Sequence, residues 1–105
     1  MVEIKTEILI KARKFLELLT KRGIVVSDAY IFGSYSNNTE TELSDIDIAV
    51  VSENFDGNIL TDIDKFVGLT RKVDNRISVL PLNNESLDSY FVQKEIIGKG
   101  YKIFQ

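Results

Sequence analysis

A chain of 105 residues with 44% apolar content is sized for one domain, residues 1–105, built around one core. Its 13 basic and 16 acidic groups leave a net charge of −3, which argues against nucleic acid as the main partner. Cysteine and histidine are both absent, so disulfides, thiol nucleophiles, histidine bases and His- or Cys-ligated zinc are excluded.

Any metal or acid–base chemistry must therefore come from carboxylates, whose hard oxygens suit Mg²⁺ or Mn²⁺. No apolar run approaches the roughly 18 residues of a membrane span. Met1-Val2-Glu3-Ile4-Lys5 has no signal-peptide character, so a cytoplasmic location is expected.

Ile4, Ile8, Leu9, Ala12, Phe15, Leu16 and Leu19 recur at three- and four-residue spacing. That period predicts an amphipathic helix from about Glu3 to Arg22, with Gly23 at its C-terminal cap. Ile24 to Phe32 reads as a strand, followed by Gly33-Ser34 and a polar stretch to Ser44. Asp45 to Val51 reads as a second strand, with Asp45 and Asp47 on one face and Ile46 and Ile48 on the other.

Asn54 to Gly57 is a turn. A helix is expected over roughly Asn58 to Arg71, with Ile59, Ile63, Phe66, Val67 and Thr70 along it. Val73 to Leu80 is a third strand stopped by Pro81, and Asn84 caps a last helix over about Glu85 to Ile97, ended by Gly98 and Gly100. Leu87, Tyr90, Phe91 and Ile97 are its apolar positions, and Tyr101 to Phe104 is a short final strand. The order α-β-loop-β-α-β-α predicts an α/β or α+β sandwich.

The chemistry concentrates in Gly33-Ser34, a ten-residue gap, and Asp45-Ile46-Asp47. A glycine after a strand lets backbone approach a phosphate, and Ser34 adds a hydroxyl donor. A helix beginning there would bring free N–H groups and a positive dipole end to a triphosphate. Two carboxylates two residues apart on a strand project from one face about 7 Å apart, a spacing that can hold Mg²⁺ against phosphates. Ser44, beside Asp45, joins Gly33 and Ser34 as a nucleotide-binding candidate.

This pattern resembles the signature of the DNA polymerase beta-type nucleotidyltransferase superfamily, and the compact length resembles its minimal members. The resemblance implies a polymerase beta-like fold, a small mixed sheet packed against helices. It implies ATP or another nucleoside triphosphate as substrate, with Mg²⁺ or Mn²⁺. The implied reaction moves a nucleoside monophosphate, AMP in the first reading, to a hydroxyl of a protein or small molecule. It also implies Asp45 and Asp47 as metal-binding and catalytic residues. In several minimal members the acceptor is a tyrosine on a HEPN-type helical toxin, and the small enzyme is the antitoxin, so a homo- or hetero-oligomer is expected.

Two departures bear on activity. The family's third carboxylate comes from the next strand, and the matching position in Arg76-Ile77-Ser78-Val79-Leu80-Pro81 is Ser78, which brings no charge and cannot act as a base. Asp74 shares the strand parity of Ser78 but lies about 13 Å away on an ideal strand. A turn role is the expectation for it, with Arg76 a candidate for a phosphate or for Asp47. The loop positions where members carry a small residue, a basic residue and a glycine are Ser36, Asn37 and Asn38. The rival expectation is therefore a catalytically inactive binding module that acts as antitoxin or scaffold for a HEPN-type partner.

Overall fold

A computed structural model of the chain describes residues 4–35 and 44–103. The first helix, α1, runs Thr6–Lys21 and buries Ile8, Ala12, Phe15, Leu16 and Leu19, the stripe that the spacing demands. It closes as a Schellman motif. The Ile24 amide donates to the Leu19 carbonyl (3.1 Å) and the Gly23 amide to that of Thr20 (3.0 Å), with Gly23 at φ +95°.

The strands are β1 (Asp28–Phe32), β2 (Ile46–Val51), β3 (Ile77–Leu82) and β4 (Tyr101–Lys102), and they make one sheet in the order β3-β2-β1-β4. β1 pairs antiparallel with both β2 and β4, whereas β2 and β3 run parallel. The result is a mixed α/β fold with helical segments on both faces of the sheet.

The strand alternation sorts the core. Ile46, Ile48 and Val50 of β2 and Ala29 and Ile31 of β1 face α1 together with Phe55, Phe66 and Leu69. Phe66 meets Phe15 and Phe55 edge-to-face, with ring centroids 6.2 and 6.0 Å apart. Tyr30, Ala49 and Val51 point the other way, onto Val92 and Ile96 of the C-terminal helical segment, beside Leu82 of β3. Asp47 belongs to this second face, where the apolar cover gives way to polar groups.

Several element bounds differ from the sequence-based expectation. β1 starts at Asp28, with the Ser27 amide still donating to the Val51 carbonyl of β2 (2.8 Å), whereas the Val25 amide is diverted to the Asn54 side chain (2.7 Å). The second helix, α2, covers only Ile59–Asp64, capped by the Asn58 side chain on the amides of Leu60 and Thr61. Beyond it the chain continues in three-residue turns, Phe66 to Ile63, Leu69 to Phe66 and Lys72 to Leu69. Phe66 and Leu69, one such turn apart, are buried together, while Ile59, Ile63 and Val67 are exposed.

β3 begins at Ile77 and includes Pro81. It lies at the sheet edge, where a missing amide donor is tolerated. Asp74 thus sits in the turn before β3, outside the strand. The expected last helix is split into a 3₁₀ turn, Glu85–Asp88, and a π-helix, Val92–Gly98. Its first turn is held by Asn83, which accepts from the Ser86 amide (3.0 Å), and the Asn84 side chain makes no cap. Val92 and Ile96 of this segment are inside, while Ile97 and the preceding Tyr90 and Phe91 are exposed. Phe104 lies outside the described residues.

Candidate functional site

β1 delivers the chain to a single 3₁₀ turn, Gly33–Tyr35, at the edge of the sheet's second face. Gly33 has φ +73°, the left-handed region that side chains disfavour. A Cβ added there would overlap Oδ2 of Asp47. The turn backbone therefore lies directly against that carboxylate. Three residues do not sum to a helix dipole, so what this turn offers an anion is local backbone polarity. Ser36, Asn37 and Asn38 lie outside the described residues.

Asp47 is paired with Phe32 across β1 and with Ser78 across β3, so Asp47 and Ser78 are side by side on one face. Asp47 is half-buried and Ser78 exposed. Asp45 immediately precedes β2 and is exposed, and Ser44, half-buried, precedes it. Burial first, and then the charge of Asp45, holds the Asp47 carboxyl above its ordinary range. Asp47 against the turn, with the charge of Asp45 acting on it, forms a place where a cation would relieve both acids. Among the described residues no group of three or more carboxylates gathers.

The strain at Gly33 gives a direct expectation. Gly23 is also left-handed, but a Cβ there meets nothing within 4 Å. Gly23→Ala is expected to cost about 1 kcal/mol from backbone strain alone. Gly33→Ala should cost clearly more, about 2–3 kcal/mol, because Asp47 must also move. Urea unfolding of the two variants measures the difference, and equal losses would contradict the close approach of Gly33 to Asp47.

Asp74 and Arg76 form a separate cluster beneath the turn. The Arg76 guanidinium forks onto Asp74, Nε to Oδ1 (3.2 Å) and Nη2 to Oδ2 (3.1 Å), while the Arg76 amide also donates to Oδ1 (2.8 Å). Lys11 of α1 adds an ion pair at 2.7 Å. Arg76 Nη1 also donates to the Tyr35 hydroxyl (3.1 Å). Nothing in the local sequence marks Lys11 or Tyr35 for these contacts, because both partners are brought to them by folding.

Arg76 and then Lys11 hold the Asp74 carboxyl well below the usual carboxylate range. A carboxyl depressed by folding contributes stability that is fully present above its unfolded pKa of about 4 and is lost as pH falls toward its folded value. The chain is therefore expected to lose stability below about pH 4, on the order of 2 kcal/mol from this group. Thermal melts from pH 7 to pH 2 should show a shallower acid limb in Asp74→Asn. An unchanged limb would remove Asp74 as its source.

The family profile described as Polymerase beta, Nucleotidyltransferase matches residues 13–105. The chain belongs to this nucleotidyltransferase family. A comparison with curated proteins gives no match. Among solved structures, a Sulfolobus solfataricus protein assigned as a nucleotidyltransferase superimposes with TM-score 0.63 at 20% identity, covering 90% of this chain and 85% of that one. A toxin–antitoxin structure with AMP-PNP gives TM-score 0.65 at 24% identity, covering 88% and 71%. A mutant of the MntA–HpeT toxin–antitoxin gives 0.63 at 22%, also covering 88% and 71%. At these identities the likeness speaks for a shared nucleotidyltransferase fold. No helix among the described residues is long and apolar enough to cross a membrane.

Proposed function

We propose that this chain binds a nucleoside triphosphate with Mg²⁺ or Mn²⁺ and transfers its nucleotidyl group, AMP from ATP, slowly to a hydroxyl on a partner protein. The observation that carries this reading is the contact of the Gly33 turn with Asp47, whose carboxyl is pushed up by burial and by Asp45. The AMP-PNP in one structural neighbour supports the nucleotide. The MntA–HpeT neighbour, in which two aspartates two positions apart were changed to glutamate, supports a role for an Asp-x-Asp pair.

Asp45 and Asp47 supply hard oxygen donors of the kind that Mg²⁺ takes alongside phosphates and water. When bound, the ion neutralises phosphate charge and favours pyrophosphate as leaving group. Gly33 and Ser34 hold the phosphates, with Ser44 at the rim. The acceptor oxygen bonds to the α-phosphorus, the bond to the pyrophosphate oxygen breaks, and the hydroxyl proton leaves to solvent. Ser78, beside Asp47, offers no carboxylate to take that proton, which accounts for a slow reaction. The acceptor-bearing partner in this proposal is a HEPN-type helical protein in the cytoplasm, with this chain as its antitoxin.

A second reading is favoured by Ser78 alone: the chain binds and restrains the partner without turnover. Incubation of the full chain and its co-purified partner with α-labelled ATP and Mg²⁺ separates the two. Transfer predicts label on the partner, lost in Asp47→Asn and raised about tenfold or more in Ser78→Asp. An unlabelled partner with both wild type and Ser78→Asp, while ATP still binds, would leave the binding-module reading in its place.

A further inference from the structure

Arg76 occupies an unusual position between the two halves of the site. Its side chain reaches the hydroxyl of Tyr35, the last residue of the Gly33–Tyr35 turn. Its backbone carbonyl accepts the Ile46 amide at 2.8 Å, and Ile46 separates Asp45 from Asp47. One residue thus ties the glycine turn to the acidic strand. Its guanidinium is itself oriented by the fork on Asp74, and Asp74 is anchored to α1 through Lys11.

Tyr35 is 4% exposed, and the side chains of Asp74 and Arg76 are 13% and 27% exposed, so these contacts are partly shielded from solvent. A planar guanidinium held at two points has little freedom to let the Tyr35 end drift.

We propose that Tyr35 and Arg76 are positioning residues: the chain Lys11–Asp74–Arg76–Tyr35 fixes the separation between the Gly33 turn and the Asp45–Asp47 pair, and thereby sets the affinity for a metal–nucleoside triphosphate. This rests on the nucleotide-site reading above. Neither residue needs to touch the nucleotide. The hydroxyl of Tyr35 does its work through Arg76, and Arg76 through the geometry of the turn.

The decisive variant is Tyr35→Phe, which keeps the buried ring and removes only the hydroxyl. Calorimetric titration of Mg²⁺–ATP is expected to show about tenfold weaker binding, with a thermal midpoint within a few degrees of wild type. Arg76→Lys keeps the charge but cannot span Asp74 and Tyr35 together, so it should weaken binding similarly. The double variant should lose less than the product of the two factors, because both break one chain.

Hydrogen exchange without ligand gives an independent arm, with amides 33–35 exchanging about tenfold faster in Tyr35→Phe and those of α1 unchanged. Wild-type affinity and wild-type exchange in Tyr35→Phe would overturn the proposal. Multiplicative losses in the double variant would overturn it as well, because Arg76 would then act on the phosphates by itself. If wild type binds no Mg²⁺–ATP, the nucleotide reading fails, and with it the claim on affinity. The exchange arm still decides whether the network holds the turn.

Discussion

Asp47→Asn is expected to weaken Mg²⁺-dependent ATP binding about 100-fold, close to 3 kcal/mol, while raising the thermal midpoint of the ligand-free chain. Both directions follow from one environment. Burial and the neighbouring Asp45 disfavour the ionised Asp47 carboxyl. A carboxyl raised by folding costs stability above its folded pKa, and that cost fades as pH falls and is gone below the unfolded value of about 4. Asparagine keeps the shape and removes the charge, so the fold gains where the site loses. Titration calorimetry and melts at pH 7 measure the two effects together. Asparagine and wild type should melt alike near pH 4. A variant that binds Mg²⁺–ATP normally would detach Asp47 from the metal.

The largest expected loss of stability comes from Asp62, a fully buried carboxylate. It accepts the amides of Asp56 (2.7 Å) and Gly57 (3.0 Å), and Lys65 pairs with it at 3.2 Å. Burial, the strongest single influence, pushes its carboxyl up, but the Asp56 amide, Lys65 and the Gly57 amide together hold it down. Asp62→Ala would leave two turn amides without their acceptor and take one of two carboxylates from Lys65, which keeps Asp56 and the Asn54 carbonyl, at a cost of about 3–5 kcal/mol. Asp62→Asn retains one acceptor oxygen and should cost roughly half as much. Urea midpoints give the comparison, with the exposed Asp64→Ala as control. A loss at Asp62 no larger than at Asp64 would contradict this account of the turn.

The parts of the fold that follow from local periodicity were legible. The α1 stripe, the Gly23 cap and the alternation of Asp47 with Ile46 and Ile48 each depend on spacing within one element. The break after Asp64 and the π-helix at Val92–Gly98 were not, because α-helical spacing assigns Ile63, Val67, Tyr90 and Phe91 to a buried face. In the folded chain, Phe66 and Leu69, then Val92 and Ile96, take the core, and tighter or wider winding follows from that packing.

At the site, Gly33 and Asp47 were readable as a pair because a known motif links them. Their contact, and the Asp47–Ser78 register, are tertiary facts. Lys11, Tyr35 and Asp62 gave no signal, because each acts through a partner that chain folding brings to it.

The most direct test of the site is to locate the cation. Mn²⁺ added in small amounts with AMP-PNP to the ¹⁵N-labelled chain broadens amide signals near the ion. Early loss of the Gly33, Ile46 to Ile48 and Ser78 signals is predicted, with Asp45→Asn/Asp47→Asn abolishing it. Sharp signals at those positions, with broadening instead around Glu53 or Asp64, would contradict a cation held between the acidic strand and the glycine turn.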